Sequence, residues 1–341
     1  MKSLRGDCYN PFFSHIYVEQ AVKNHPRTQR VLARFRDARI IEIGHYKDVF
    51  CRRGQDFLQQ HHTQKLILAG KPGTLIYPGA PVCQSFGNDH FYYTSCVMNC
   101  IYDCEYCYLK GMYPSANIVW FVNLEDFFSE TDRMLKQHPM YLCISYDTDL
   151  MAMEQITGYV REWIRFAGSR KHLKLEIRTK CAERSFFEQE EPVCGVVFAF
   201  TMSPQRVIDA YEHGTPSLAR RIGCAAEAVR RGFSVRLCFD PMIYVLDWEA
   251  EYEKMLEQIF REIPASLLWD VSVGTFRVPQ DYLKNMRRQE PDSAVVQFPY
   301  QNCSGVYQYP ADLAERMEGY LIRRLAERIS KDKIFLWKEE R

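Results

Sequence analysis

The sequence predicts an α/β protein whose parallel strands are joined by crossover helices. From about residue 90, short runs rich in β-forming residues alternate with longer segments whose apolar residues recur at helical spacing. Repeated alternation of this kind is typical of an open parallel sheet or of a full or partial α/β barrel. In each case the functional residues are expected at the carboxyl ends of the strands. The strand-like runs are 91–97, 118–122, 141–146, 173–177, 196–201, 234–239 and 268–273.

Two helices of this region carry clear signals. Apolar residues such as Met153 and Trp163 mark one face of a helix predicted over 150–167. A second helix is predicted to follow Ser217 and to end at Gly232, because glycine is a frequent helix terminator.

The first part of the chain is predicted to form a separate, small α/β segment. A helix-like stretch at 18–35 leads into a strand-like run at 40–43. Glycine and proline residues near 70–81, which are typical of turns, mark the end of the segment. The alternating region would form the main domain, and the remaining C-terminal residues would add a loop and a helix that pack on it. The expected boundaries are 1–85, 86–300 and 301–341.

The composition is that of a globular enzyme. The chain has 341 residues, of which 47% are hydrophobic and 26% are charged. No apolar run approaches the roughly 20 residues needed to span a bilayer, and the N-terminus is polar, so we expect a cytoplasmic protein without a membrane partner. In that reducing compartment the 13 cysteines are not expected to form disulfides, and a tight cysteine cluster indicates a metal site.

The net charge gives no global signal for a nucleic-acid partner. It is only +1, although Arg27, Arg30, Arg34, Arg36 and Arg39 crowd the first predicted helix. These arginines suit either a phosphate-binding patch or an ordinary solvated helix face. Charge by itself leaves the substrate open.

The most informative stretch is CIYDCEYCY at 100–108. Its pattern C-x3-C-x2-C places Cys100, Cys104 and Cys107 in one compact loop directly after the first strand of the alternating region. Three thiolates suit a soft metal centre such as a 4Fe–4S cluster, and three ligands leave one iron open. S-adenosylmethionine (SAM) binds such an iron, and one electron then cleaves its C–S bond to give a 5′-deoxyadenosyl radical. The motif therefore predicts a radical SAM enzyme.

A structural zinc site is the alternative hypothesis for the same cysteines. Cys96 or a distant thiol would supply the fourth ligand, and the protein would then be a zinc-stabilised nucleic-acid-binding module. Zinc sites usually come as paired C-x2-C knuckles, and the sequence has no second knuckle. The iron–sulfur cluster is therefore favoured.

With these motifs in place, the sequence resembles the radical SAM superfamily, and more closely the spore photoproduct lyase family. The resemblance extends over nearly the whole chain. Beyond the cysteine motif, which is specific for the superfamily, four further blocks point to this family. They are VWFVN at 119–123, RTK at 178–180, GTPSLARR at 214–221 and PMIY at 241–244, the last followed by Trp248.

The resemblance implies a fold and a set of site residues. The fold would be the partial (β/α)6 TIM-type barrel of radical SAM enzymes, with the three motif cysteines holding the 4Fe–4S cluster. Lys180, Thr148 and Thr201 would contact SAM, and Tyr106 and Tyr108 would belong to a hydrogen-transfer relay.

The resemblance also implies an activity. The family cleaves 5-thyminyl-5,6-dihydrothymine, a thymine photoproduct of UV-damaged DNA, and a cysteine thiol quenches the resulting thymine radical. Reaching the lesion would require its extrusion from the duplex, which costs less for a damaged base than for a normal pair. Further expected partners are the DNA itself and a one-electron reductant such as flavodoxin or ferredoxin.

One position departs from the family pattern. Aligning the helix that follows places Tyr146 where the family carries its quenching cysteine, and the nearest thiol is Cys143. Residues three apart on a strand point to opposite faces, so Cys143 is expected to face away from the site. Either Tyr146 donates the hydrogen, or another thiol such as Cys303 does, or the enzyme acts on another nucleobase, a nucleotide or a peptide.

Overall fold

The structure, a computed structural model, describes residues 13–80 and 82–337. The outer ends of the predicted N-terminal and C-terminal segments, 1–12 and 338–341, and residue 81 lie outside the described residues. Within them the chain is a mixed α/β protein with two principal sheets.

The strands follow the predicted rhythm from residue 91 onward and are preceded by four strands of the N-terminal part. In chain order they are β1 (His15–Glu19), β2 (Arg39–Ile43), β3 (Leu66–Ala69), β4 (Ile76–Pro78), β5 (Phe91–Thr94), β6 (Val97–Met98), β7 (Asp103–Cys104), β8 (Ile118–Phe121), β9 (Met140–Cys143), β10 (Leu173–Thr179), β11 (Val196–Thr201), β12 (Glu212–His213), β13 (Ser234–Met242), β14 (Asp270–Thr275), β15 (Arg277–Pro279), β16 (Gln301–Cys303), β17 (Val306–Gln308) and β18 (Ile334–Leu336).

Helices connect most of the successive strands in both principal sheets. They are α1 (Pro26–Arg34), α2 (Lys47–Phe50), α3 (Phe57–His62), α4 (Leu109–Met112), α5 (Leu124–Leu135), α6 (Glu154–Thr157), α7 (Tyr159–Gly168), α8 (Arg184–Gln189), α9 (Gln205–Tyr211), α10 (Leu218–Arg230), α11 (Trp248–Glu262), α12 (Gln280–Gln289) and α13 (Ala311–Ala326). In the described ranges, no helix combines the length and the apolar character needed to cross a membrane.

The larger sheet confirms the predicted partial (β/α)6 barrel. Its order is β18-β14-β13-β11-β10-β9-β5-β4, and the six strands from β5 to β14 are parallel to their neighbours. Strand β18 extends the sheet in parallel, whereas β4 pairs antiparallel with β5. All six residues of β11 are buried, as expected for a parallel sheet that is covered on both faces.

The strand predicted at 118–122 does not belong to the barrel. It forms β8 of a smaller sheet with the order β2-β1-β3-β8-β6, in which β8 runs parallel to β3 and antiparallel to β6. The sequence pattern identifies a buried strand but carries no information on which sheet the strand joins. The division at residue 85 stays a prediction, and the two sheets exchange strands across it, since β4 joins the barrel sheet.

Two predicted helices differ from the structure at their boundaries. The helix predicted at 150–167 is interrupted at Gly158, whose φ of +68° separates α6 from α7. The stretch predicted as helical from residue 18 begins as the end of β1, and α1 starts only at Pro26, where proline's fixed φ suits the first helical turn. The helix after Ser217 is confirmed as α10, with Gly232 at a φ of +83° just beyond its end.

The first arginine of the predicted basic helix is a packing residue. Arg27 is buried, and its guanidinium donates to the carbonyl oxygen of Val122 at 2.9 Å. The same group pairs with Glu125 at 2.7 Å and Glu162 at 2.6 Å, which ties α1 to α5 and α7. Arg39 lies on β2 rather than on the helix.

A glycine allows α4, which follows the cysteine motif, to pack closely on α12. A Cβ atom at Gly111 would lie 2.4 Å from the carbonyl oxygen of Tyr282, far inside van der Waals contact. By contrast, Gly223 within α10 has no atom within 4 Å of the corresponding position.

The two glycines should therefore respond oppositely to alanine. Gly111→Ala is expected to lower the free energy of unfolding by about 1–3 kcal/mol, because the backbone of α12 must move. Gly223→Ala is expected to raise it by about 0.5–1 kcal/mol, since alanine is the better helix former. Urea unfolding followed by circular dichroism measures both, and a change of the same sign in the two variants would contradict the packing argument.

Candidate active site

A cavity of about 370 Å³ opens at the carboxyl ends of the barrel strands. Four consecutive strands of the sheet contribute to its wall: Cys143 ends β9, Lys180 follows β10, Thr201 ends β11, and Asp240 lies near the end of β13. This is the position expected for the functional site of a parallel α/β barrel.

The three cysteines of the sequence motif line this cavity together. Cys100, Cys104 and Cys107 come from a loop that is held by a short antiparallel ladder, in which Cys104 on β7 faces Glu212 on β12. The backbone N–H of Glu105 continues the ladder by donating to the carbonyl oxygen of Tyr211 at 2.9 Å. The loop is thus attached to the barrel at the segment after β11.

The structure separates the candidate fourth zinc ligand from the three motif cysteines, because the described cavity wall includes Cys100, Cys104 and Cys107 but not Cys96. Cys96, the candidate fourth zinc ligand, is completely buried in the hydrophobic core. Burial raises the pKa of the Cys100 thiol to about 12, so binding of a metal there would displace a proton.

Glu212 connects the cysteine loop to the barrel electrostatically. This fully buried carboxylate accepts hydrogen bonds from the Tyr106 hydroxyl, from Ser203 Oγ at 2.7 Å and from the guanidinium of Arg221. Burial alone would raise its pKa, but the charges of Arg221 and Lys180 lower the pKa of Glu212 to about 2. Tyr106, one of the predicted relay residues, is therefore fixed against a permanently ionised carboxylate.

The three residues predicted to contact SAM all line the cavity. Asp149 holds the first of them in place, because its carboxylate accepts from the backbone N–H of Lys180 at 2.6 Å and from Thr179 Oγ1 at 2.7 Å. Thr148 and Thr201 are buried in the same wall. The hydroxyl of Thr148 has no hydrogen-bond partner, as expected for a group that awaits a polar ligand.

A second buried carboxylate organises the tyrosines. Asp147 accepts from the hydroxyl of Tyr113 at 2.7 Å and from that of Ser95. Tyr108 donates to the backbone carbonyl oxygen of Tyr146 at 2.6 Å and also lies 3.4 Å from Asp147. Tyr108 and Tyr146 thus meet at the cavity wall, with their ring centroids 5.8 Å apart.

Two thiols outside the cysteine motif, those of Cys143 and Cys83, also line the cavity. The expectation that Cys143 faces away is wrong: β9 ends at Cys143, so strand alternation does not extend to Tyr146. Cys83 lies on the connection between β4 and β5, and its Sγ is 3.3 Å from the Tyr146 hydroxyl. Cys303 lies on β16 and is not among the described residues that form the cavity wall.

Charged residues complete the wall, and sequence reasoning assigned them no role. Arg277 forms two hydrogen bonds of 3.0 Å with the carboxylate of Asp240. Arg178 pairs with Glu176 at 3.2 Å and is one-third exposed. Arg178 and Asp240 lie within or beside family-like blocks of the sequence, RTK and PMIY, which was the available signal for them.

Replacing Glu212 tests how far the cysteine loop depends on this carboxylate. Glu212→Gln is expected to lower the free energy of unfolding by about 3–5 kcal/mol, because the buried Arg221 loses its counter-ion. The matched control is Glu105→Gln on the same loop, whose partner His213 is 48% exposed; it should cost about 0–1 kcal/mol. Equal losses in urea unfolding would contradict a special role for Glu212.

Comparison with known proteins places the chain in a family. The family model described as spore photoproduct lyase matches residues 12–288. A spore photoproduct lyase from Bacillus subtilis is 23% identical over 275 residues, which are 77% of this chain and 78% of that protein. One from Clostridium acetobutylicum is 27% identical over 168 residues, which are about half of each chain, 48% and 49%.

Solved structures show the same fold. A spore photoproduct lyase complexed with dinucleoside spore photoproduct superposes with a TM-score of 0.81 at 17% identity, covering 96% of this chain and 99% of the other. A mutant spore photoproduct lyase with bound AdoMet and dinucleoside spore photoproduct matches equally well, with a TM-score of 0.81 at 18% identity. Because the family model covers most of its length, the chain belongs to the spore photoproduct lyase family.

Proposed function

We propose that this protein is a radical SAM lyase that repairs a thymine photoproduct in DNA. The observation that carries the proposal is the meeting of all nine predicted site residues at one cavity. The three motif cysteines, the three predicted SAM contacts and three tyrosines line it together. Family membership gives this arrangement its chemistry.

The cavity residues fit the proposed cofactors. Cys100, Cys104 and Cys107 would hold a 4Fe–4S cluster, and the open iron would bind SAM and supply a 5′-deoxyadenosyl radical. Lys180 offers a cation for the SAM carboxylate, and its backbone is held by Asp149. Thr148 contributes a buried hydroxyl without a partner.

The rest of the wall suits a pair of pyrimidine rings. Tyr93, Tyr146 and Tyr282 line the cavity with aromatic rings of the kind on which bases stack. The related solved structures bind dinucleoside spore photoproduct, a pair of linked pyrimidines. We therefore propose UV-damaged DNA as the partner, flavodoxin or ferredoxin as the one-electron reductant, and the cytoplasm as the location.

A second candidate function keeps the cofactors and changes the substrate. Its support is Tyr146, which stands where the family has its quenching cysteine and whose ring stacks on Tyr93 at 4.0 Å. A different nucleobase, a nucleotide or a peptide would then occupy the cavity.

An anaerobic repair assay separates the two candidates. Cluster-reconstituted protein, dithionite and SAM are incubated with an oligonucleotide that carries the photoproduct, and the products are separated by chromatography. Recovery of intact thymines is expected, and Cys104→Ala, which removes one cluster ligand, should abolish it. Release of 5′-deoxyadenosine without thymine recovery would contradict lesion repair and favour another substrate.

The free hydroxyl of Thr148 gives a test of SAM binding. Thr148→Val should raise the free energy of unfolding of the SAM-free protein by about 1 kcal/mol and weaken SAM about fivefold, because a buried unpaired hydroxyl is removed together with one ligand hydrogen bond. Urea unfolding and equilibrium dialysis of reconstituted protein measure the two effects.

Thr179→Val is the matched control, since its hydroxyl already bonds to Asp149 at 2.7 Å. That change should lower the free energy of unfolding. Unchanged SAM affinity in Thr148→Val would remove Thr148 from the SAM site.

A further inference from the structure

A thiol and a phenol form a pair on the cavity wall. Cys83 Sγ lies 3.3 Å from the hydroxyl oxygen of Tyr146, and both side chains line the cavity. The resemblance to the family predicts that Tyr146 stands where the family has its quenching cysteine. The chain therefore lacks a thiol at that position in the sequence but has one in direct contact with it in space.

We propose that Cys83 is the hydrogen-atom donor to the product radical and that Tyr146 restores the hydrogen on its sulfur. This inference rests on the function proposed above, because it assigns the last step of that reaction. The role of the family's quenching cysteine would thus be shared here by Cys83 and Tyr146, which come from separate parts of the chain.

Tyr146 lies between the cysteine loop and Cys83. Its ring stacks on Tyr93 with centroids 4.0 Å apart, and its backbone carbonyl oxygen accepts from Tyr108 at 2.6 Å. Tyr108 follows the cluster cysteine Cys107 directly in the sequence. Tyr146 thus contacts Tyr108 of the cysteine loop on one side and Cys83 on the other.

The connection that carries Cys83 is held in place by the barrel. Arg277, which is paired with Asp240, donates from Nε to the carbonyl oxygen of Val82 at 2.8 Å. The backbone N–H of Cys83 donates to the carbonyl oxygen of Ala80 at 2.9 Å, which closes a turn. The thiol therefore has a defined position against Tyr146.

Both members of the pair keep their hydrogen at neutral pH. Burial raises the pKa of the Cys83 thiol and that of the Tyr146 phenol above their ordinary values. A thiolate has no hydrogen atom to give, so the protonated form is the one that the chemistry requires.

The other thiols are less well placed. Cys143 also lines the cavity, but it is only 4% exposed and lies beside the Glu176–Arg178 ion pair. Cys303 belongs to the small antiparallel sheet of β15, β17 and β16, and the described cavity wall does not include it.

The step conserves atoms and electrons. The S–H bond of Cys83 breaks homolytically, a C–H bond forms on the thymine radical, and a thiyl radical remains. A hydrogen atom then moves from the Tyr146 hydroxyl to the sulfur, which leaves a tyrosyl radical. Tyr146 would regain a hydrogen atom through the neighbouring relay residue Tyr108, and the methyl group of 5′-deoxyadenosine would be its source. The hydrogen abstracted at the start of the cycle then balances the one donated at its end.

The test compares Cys83→Ala, Tyr146→Phe and Cys143→Ala in the anaerobic assay, run in D₂O with reconstituted protein. Thiol hydrogens exchange with solvent, so the natural protein should place one solvent deuterium in the recovered thymines. Cys83→Ala should lose about tenfold or more of this labelled recovery, whereas 5′-deoxyadenosine release continues. Binding of the photoproduct dinucleotide without reductant should stay within about twofold, because a donor contributes to the reaction rather than to affinity.

Tyr146→Phe should separate the first turnover from later ones. Its first turnover should still deliver solvent deuterium from Cys83, and later turnovers should fail because the sulfur is not restored.

The outcomes distinguish the two proposals. Undiminished labelled recovery in Cys83→Ala, with the natural protein active, would overturn this inference alone, as would a loss confined to Cys143→Ala. A natural protein that returns no thymines would overturn the proposed function and, with it, this inference.

Discussion

The position of the site depends on the hydrogen bonds and the ion pair of one buried carboxylate, that of Glu212. Glu212 joins the cysteine loop to the barrel through its contacts with Tyr106 and Arg221 and through the short β7–β12 ladder. A carboxylate without solvent is tolerable only when cations and hydrogen-bond donors surround it. That requirement fixes the relative positions of β12, α10 and the loop, and with them the positions of the three thiols.

The cavity combines fixed charges with groups that retain their hydrogens. Its charged residues are paired within the protein, as in Arg277 with Asp240 and Arg178 with Glu176. Its phenols and thiols are buried deeply enough that their pKa values rise, as for Tyr108 and Cys83. Such a wall suits chemistry in which hydrogen atoms rather than protons move, because each O–H and S–H group stays intact until a radical meets it.

The exchange of strands between the two sheets also serves the site. The segment that carries the cysteine motif lies between β6 and β8, both of which belong to the smaller sheet, whereas β5 just before it belongs to the barrel. The loop is therefore held by both sheets, and α4 at its end packs on α12 through Gly111. This arrangement gives the N-terminal segment a structural role in positioning the cysteine loop.

The sequence by itself determined the α/β class, the cysteine motif and the family, because periodicity and ligand spacing are local properties of the chain. Blocks resembling the family also predicted that Lys180 and Tyr108 belong to the site, and both residues line the cavity. Only the tertiary structure decided that β8 leaves the barrel sheet, that Cys143 turns toward the cavity and that Cys83 meets Tyr146. Those facts depend on contacts between residues up to 63 positions apart, as for Cys83 and Tyr146, and no local pattern records which distant side chains share a wall.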